Sequence, residues 1–336
     1  MNVQKDVDLF LAIAKADMSG KNYKQNCIAN IDFFNKPYLF SNENIASYLG
    51  KMDIKNKSVL TTGSSGDQVL YSQLYGAKMV TCFDINPFAR YIYYLKAAYI
   101  KGYCFEEFKY LISDKNYKFN ALFNIKHYKT IAANLPADVK EFWDSLFAAG
   151  LSPDTSMFTH TTNHDIFKVK YLSDKQTYIR LRNALRNNGC QIDFICCDIR
   201  VLPKMLDNFH PSTAYNIILL SNISDYYHML NCCPKDAFGR VIESRFVSGK
   251  QIFKQIVNCL AENFLAPNGQ IQVGYKFGGS FSDGPINTLA GIENLFNHKQ
   301  LRAVGNSYDS DGGAIFYTPN PGSAARFCPP EPPQLI

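Results

Sequence analysis

Two apolar runs, each ending in a polar turn, constrain this chain more than any other feature. Val59-Leu-Thr-Thr-Gly-Ser-Ser-Gly-Asp67 carries one run into a glycine-bearing turn, and Cys82-Phe-Asp-Ile-Asn-Pro87 ends a second run in an acid. An acid about 20 residues beyond a glycine turn is the spacing of a βαβ nucleotide-binding unit. Gly63 and Gly66 read as positions where backbone approaches a ligand closely, and Asp84 as the acceptor for a ribose diol. The pattern lacks the third glycine that packs a dinucleotide pyrophosphate against the following helix. A ligand with one ribose and no phosphate is therefore expected, and S-adenosylmethionine fits that description.

Composition sets the frame. With 336 residues, 46% of them apolar, the chain can bury a substantial core as one large domain with insertions or two small ones. No stretch approaches the roughly 18 consecutive apolar residues of a membrane span. The first residues, Met1-Asn-Val-Gln-Lys-Asp6, hold no apolar signal segment, so a cytoplasmic protein is expected. The 10 cysteines form no C-x-x-C pair, which favours reduced thiols. The net charge of +6 comes from dispersed lysines rather than a block, so no nucleic-acid partner is expected, while peripheral membrane contact stays open. His160 and His164 are spaced four apart without a glutamate between them, and no metal is expected.

The pattern predicts an α/β fold of the Rossmann-like class I S-adenosylmethionine-binding type, a mostly parallel sheet flanked by helices. Strands are predicted over 58–62, 79–84, 192–198, 215–221, 270–277 and 313–318. Helices are predicted over 66–75, 87–98, 248–264 and 287–297, with a helix stop at Leu265-Ala-Pro-Asn-Gly269. Residues 1–52 read as a helical lid, 53–102 with 189–320 as the core, and 321–336 as a proline-rich tail. Residues 103–188, rich in aromatics and helix-like, read as an insertion forming the acceptor side.

Three loops leaving successive strands would hold the cofactor. Thr62, Gly63, Ser64, Gly66 and Asp67 would flank its methionine part. Asp67 would either pair with the ligand's ammonium or place a negative charge at a helix N-terminus. Asp84, Ile85 and Asn86 would take the ribose, and Asp198 and Ile199 the adenine. Ser221, Asn222, Asp225 and Tyr226 follow the fourth strand, where a hydroxyl, amide or carboxylate could orient or deprotonate a nucleophile. Asn222 could equally cap a helix beginning there.

Several segments resemble the 3-amino-3-carboxypropyl transferases that make the homoserine ether of betaine lipids. They are Leu60 to Gln68, Phe83 to Pro87, Tyr94-Leu-Lys-Ala-Ala98, Phe142-Trp-Asp144, Ala149-Gly-Leu151, Tyr178 to Arg182, Asp198 to Pro203 and Leu220 to Asp225. The resemblance implies a Rossmann-like fold, cofactor contacts at Gly63, Asp84 and Asp198, and transfer of the aminocarboxypropyl group with release of methylthioadenosine. The acceptor stays open among a small soluble nucleophile, the cofactor's own amine and a lipid hydroxyl. Methyl transfer on the same fold, or cofactor binding without turnover, are the competing readings.

Overall fold

Parallel strands buried on both faces need near-continuous apolar runs, and that is what the chain supplies. The computed structural model describes residues 2–18, 38–41, 43–112, 122–150, 169–187, 189–210, 213–223, 248–275, 302–303 and 313–317. Its strands are β1 (Ser58–Thr62), β2 (Met79–Asp84), β3 (Gln191–Cys196), β4 (Tyr215–Leu219), β5 (Leu265–Tyr275), β6 (Arg302–Ala303) and β7 (Gly313–Tyr317). They form one seven-stranded sheet in the order β3-β2-β1-β4-β5-β7-β6. β1 runs parallel to β2 and β4, β4 runs parallel to β5, and β7 turns back antiparallel between β5 and β6. The order reverses between β1 and β4, the switch point at which open α/β sheets open a crevice. This is the Rossmann-like class I fold expected of the sequence.

The helices are α1 (Val3–Met18), α2 (Ile45–Leu49), α3 (Asp67–Leu74), α4 (Phe88–Gly102), α5 (Phe105–Ile112), α6 (Ile125–Ile131), α7 (Ala137–Ala148), α8 (Lys170–Ser173), α9 (Lys175–Arg186), α10 (Leu202–Phe209) and α11 (Gly249–Asn263). The strands at 58–62 and 79–84 fall where the apolar runs predict them. The boundary ahead of β5 differs most. The segment 265–269 was expected to end a helix, yet β5 begins at Leu265 and pairs with Tyr215. The pairing then shifts, with Ile217 opposite Gln270, so the residues between form an irregularity in the strand. Asn268 adopts φ 62°, which allows that bend, and Pro267 precedes it. Helix stop and strand bulge share the same turn-forming residues, so the sequence signal could not separate them. The predicted helix 287–297 and the tail 321–336 lie outside the described residues.

The chain divides into two compact units. The first comprises Met1–Ala46, Gly63–Gly76 and Asp84–Phe194, and the second Ser47–Thr62, Ala77–Phe83 and Ile195–Ile336. The first unit is built around α4. Eleven of its side chains, from Phe88 to Ile100, are buried, so the helix is apolar nearly all round. Phe10 of α1 meets Phe88 edge-on at 4.9 Å, and Tyr91 stacks on Phe142 of α7 at 3.8 Å. Tyr91 donates its hydroxyl to Asp6 at 2.7 Å, tying α1 to α4 at a polar point in an aromatic core. Trp143 is fully buried, with its indole N–H donated to the Tyr91 carbonyl at 3.3 Å.

The second unit packs α10 and α11 on one face of the strands. Leu60, Ile218, Leu220, Ile271 and Val273 meet Leu202, Leu206, Phe253, Val257 and Leu260 in one apolar cluster. Tyr215 lies in this cluster, and its hydroxyl donates to Thr81 Oγ1 at 3.0 Å. Among the described residues no helix is long and apolar enough to cross a membrane.

Truncating the buried indole should test the aromatic core of the first unit. Trp143→Ala is expected to lower unfolding free energy by about 3–5 kcal/mol, the usual cost of emptying a tryptophan site. A urea titration followed by circular dichroism reads this, and a loss under 1 kcal/mol would mean the site collapses freely.

Candidate functional site

Within the first unit, the glycine turn and the end of β2 interlock. Asp84 accepts from the Ser64 amide at 2.5 Å through one oxygen and from the Asn86 amide at 2.8 Å through the other. Gly63 makes this possible. A Cβ there would lie 2.9 Å from both Ala89 Cβ and Asp84 Cβ and 3.0 Å from Asp84 Oδ2. Ser64 adopts φ 41°, and the Gly66 amide closes the turn onto the Gly63 carbonyl at 2.6 Å. Gly66 has φ +78°, and a Cβ on it would sit 2.7 Å from Tyr93 Cβ. Both glycines thus serve contacts with the protein itself, where the sequence suggested room for a ligand. Asn86 accepts from the Phe88 amide at 2.9 Å and so starts α4, leaving Asp84 as the carboxylate of the turn.

Asp84 and Ile85 are partly exposed. Desolvation pushes the Asp84 carboxyl up to about 6, against the Asn86, Ser64 and Ile85 amides, which pull it down. A carboxylate offers about four acceptor sites, so capacity remains for a further donor such as a sugar hydroxyl.

Asp67 has a different fate. It is fully buried in the first turn of α3, and each of its oxygens takes two donors. Oδ1 receives the Lys96 ammonium and the Tyr171 hydroxyl, both at 2.5 Å. Oδ2 receives the Ser41 amide at 2.5 Å and the Ser65 hydroxyl at 2.8 Å. The four acceptor sites are filled by the protein, so the carboxylate is committed to an internal cation rather than held out for a ligand's ammonium. Lys96 is fully buried too, and its ammonium lies 5.0 Å from the Phe40 ring centroid. Burial pushes its pKa down, and the Asp67 charge pulls it back up. Burial and the Asp67 charge together push the Tyr171 and Tyr71 phenols up; Tyr171 donates to Asp67, while the Tyr71 hydroxyl accepts from the Lys170 amide at 2.6 Å.

Sequence reading passed over Lys96 and Tyr171. The signal for Lys96 was available, because a lysine interrupts the apolar run Tyr91 to Ile100 on a helix buried nearly all round. Tyr171 had none, since a helix of four residues carries no periodicity.

The second unit holds the remaining sites. Asp198 follows β3, and its carboxylate is gripped by Arg200. The guanidinium donates at 2.9 and 2.6 Å, and the Arg200 amide adds 2.8 Å. A bidentate arginine therefore occupies the group expected to read an adenine amine. Ile199 is buried in the apolar cluster with Leu202 and Leu206. Thr62, the last residue of β1, is buried. Ser221 adopts φ 50° directly after β4, a rare conformation for a non-glycine residue, and its hydroxyl donates to Asn222 Oδ1 at 3.3 Å. Asp225 and Tyr226 lie outside the described residues, as do His160 and His164. Among the described residues no group of three or more His, Cys, Asp or Glu could hold a metal ion.

No family model matches the chain, and no curated protein matches it. Solved structures align along most of its length. One is a Streptococcus mutans protein assigned as an S-adenosylmethionine-dependent methyltransferase, with 11% identity, TM-score 0.35, and coverage of 82% of this chain and 46% of that one. Another is the rRNA methyltransferase aviRa from Streptomyces viridochromogenes, with 11% identity, TM-score 0.36, and coverage of 81% and 82%. A TehB-like S-adenosylmethionine-dependent methyltransferase from Corynebacterium glutamicum aligns with 9% identity, TM-score 0.32, and coverage of 95% and 100%. The chain spans about half the length of two of the structures it matches. The fold class rests on the strand order and connections, not on these likenesses.

A variant pair tests the buried charge network. Lys96→Met should cost about 3–5 kcal/mol in urea unfolding, because Asp67 is left buried without its cation. Adding Asp67→Asn in the same chain should recover part of that loss. A double variant less stable than the single one would show that the carboxylate's charge is not what makes Lys96 necessary.

Proposed function

We propose that the chain is an S-adenosylmethionine-dependent transferase that moves the 3-amino-3-carboxypropyl group to a nucleophile and releases methylthioadenosine. The observation that carries the nucleoside part is Asp84. It stands at the carboxyl end of β2, partly exposed, pinned by the Ser64 and Asn86 amides beside a glycine turn, with capacity for a sugar hydroxyl. The choice of transferred group is supported by the residues that resemble the aminocarboxypropyl transferases, notably Phe83 to Pro87 and Leu220 to Asp225.

The bound co-substrate would supply a sulfonium whose three neighbouring carbons are all electrophilic. The protein selects among them by holding one in line with the nucleophile at roughly 3–3.5 Å. Attack at the γ-carbon breaks its bond to sulfur, and the electron pair leaves with methylthioadenosine. Attack at the methyl carbon leaves S-adenosylhomocysteine instead. Asp84 would orient the ribose, and Ser221 and Asn222 offer a hydroxyl and an amide after β4 for the reacting end. Asp225 and Tyr226 are proposed as the groups that orient or deprotonate the nucleophile.

Methyl transfer is the second reading, because the same strand order serves it equally. Incubation with S-adenosylmethionine and candidate acceptors, followed by chromatography of the nucleoside product, separates the two. Methylthioadenosine supports aminocarboxypropyl transfer, S-adenosylhomocysteine supports methyl transfer, and binding without either product points to a silent protein.

The pH dependence of binding follows from Asp84. Between the ordinary carboxyl value of 3.8 and about 6, the folded protein holds a proton that the unfolded chain has released. The group's contribution to stability therefore falls as pH rises through that window. Ligand binding runs the other way, since a hydroxyl donates best to the ionised form. S-adenosylmethionine affinity is expected to drop as pH falls through about 6, and Asp84→Ala should bind on the order of tenfold more weakly at pH 7.5. Calorimetric titrations showing affinity independent of pH and of this substitution would remove Asp84 from the site.

A further inference from the structure

The carboxamide of Gln272 is the least explained polar group in the protein. Gln272 is fully buried in β5, and neither its Nε2 nor its Oε1 has a hydrogen-bond partner. Among the described residues it is the one side chain with both ends of an amide left this way; Arg90 and Gln255 each leave a single atom unpaired. Enclosing an amide without partners is costly, so folded chains rarely retain one without a use.

Its position in the sheet points to that use. In register, Gln272 lies opposite Leu219 of β4, Leu219 opposite Thr61 of β1, and Thr61 opposite Cys82 of β2. Side chains on paired residues share a face, and alternate residues take the other. Ile271 and Val273 belong to the apolar cluster with α10 and α11, so Gln272 lies on the opposite face. The row passes through Leu219, the last residue of β4. There the Leu220 amide donates to the Gln272 carbonyl at 2.9 Å, and the next residue, Ser221, takes its left-handed conformation. An unpaired buried amide on β5 thus lies beside the carboxyl end of β4, where a strained non-glycine backbone follows. Strain of this kind gathers where a ligand is held.

The geometry points to Gln272 as the residue that binds the α-amino-acid end of S-adenosylmethionine. This rests on the proposed function and identifies which part of the co-substrate the β4–β5 end would hold. A carboxamide presents one donor group and one acceptor. An α-amino acid presents the complement within a few atoms, a carboxylate to accept from Nε2 and an ammonium to donate to Oε1. That zwitterion is net neutral, so a neutral amide can receive it without burying an unpaired charge. Asn222 Oδ1, which already accepts from Ser221, adds a second acceptor two residues beyond Leu220.

The test compares two nucleosides that differ in the amino-acid end. S-adenosylmethionine carries it, and methylthioadenosine lacks it. Affinities for both are measured by calorimetry on the full chain, the Gln272→Met variant and the Gln272→Leu variant. The expected result is at least tenfold weaker S-adenosylmethionine binding in the variants, with methylthioadenosine within twofold of wild type. The ligand-free variants should melt at or above the wild-type temperature, because an unpaired amide has been removed. Unchanged S-adenosylmethionine affinity, equal loss for both nucleosides, or melting more than 5 °C lower in both variants would overturn the inference while leaving the proposed function standing. Wild-type protein that binds neither nucleoside would overturn the proposed function and this inference with it.

Discussion

One buried carboxylate organises the first unit. Asp67 takes donors from four separate stretches of chain: Ser41 ahead of the first strand, Ser65 in the glycine turn, Lys96 in α4 and Tyr171 in α8. Apart from α4, each of those stretches is short of local means to fix its own position. The turn from Gly63 to Gly66 carries two residues at positive φ, Ser64 and Gly66, and Ser41 and Tyr171 belong to irregular or very short segments. A fully desolvated ion pair is an uncertain source of net stability, because desolvation offsets most of the attraction. Its consequence here is geometric. Four donors converging on two oxygens leave few alternative arrangements, so the pair specifies where the glycine turn sits even if it adds little to the unfolding free energy.

That constraint explains why the glycine turn can be so tight. Gly63 leaves no room for a Cβ because Asp84 and Ala89 stand within 3 Å of where it would be, and Gly66 leaves none because Tyr93 does. The turn is pressed onto the start of α4 on one side and held by Asp67 on the other. Asp84 is therefore presented by backbone amides that cannot drift, and its elevated pKa is the cost of keeping a carboxylate in that enclosure.

The strands and the turn between them were legible in the sequence because their signals are local. Apolar runs of five or six residues, each bounded by turn residues, predict β1 and β2 to the residue, and the glycine-to-acid spacing identifies Asp84. Side-chain partnerships were not legible, since they depend on residues far apart in the chain. Asp67 and Lys96 are 29 positions apart and Asp67 and Tyr171 are 104 apart, so nothing in the sequence near Asp67 shows that its charge is already met. Asp198 hid its pairing for a shorter-range reason. Its partner Arg200 is two residues away, in plain view, but whether a neighbouring guanidinium folds back or extends depends on its rotamer. Gln272 escaped notice because a glutamine between Ile271 and Val273 reads as the polar face of an alternating strand. Only the sheet pairing shows that this face is buried.

Unfilled hydrogen-bonding capacity is then a better guide to function here than polarity. The acids at 67 and 198 have the residue types a ligand site needs, but Asp67 has both oxygens doubly occupied by Lys96, Tyr171, Ser65 and Ser41, and Asp198 is held at both oxygens by Arg200. Asp84 keeps part of its capacity, and Gln272 keeps all of it. A protein folding without regard to ligands would lower its free energy by pairing or replacing both groups, since unpaired buried polar atoms are among the more costly features a core can hold. Their persistence beside strained turns, Ser64 in one case and Ser221 in the other, is the pattern expected when stability is given up to keep a group ready for a partner that arrives later.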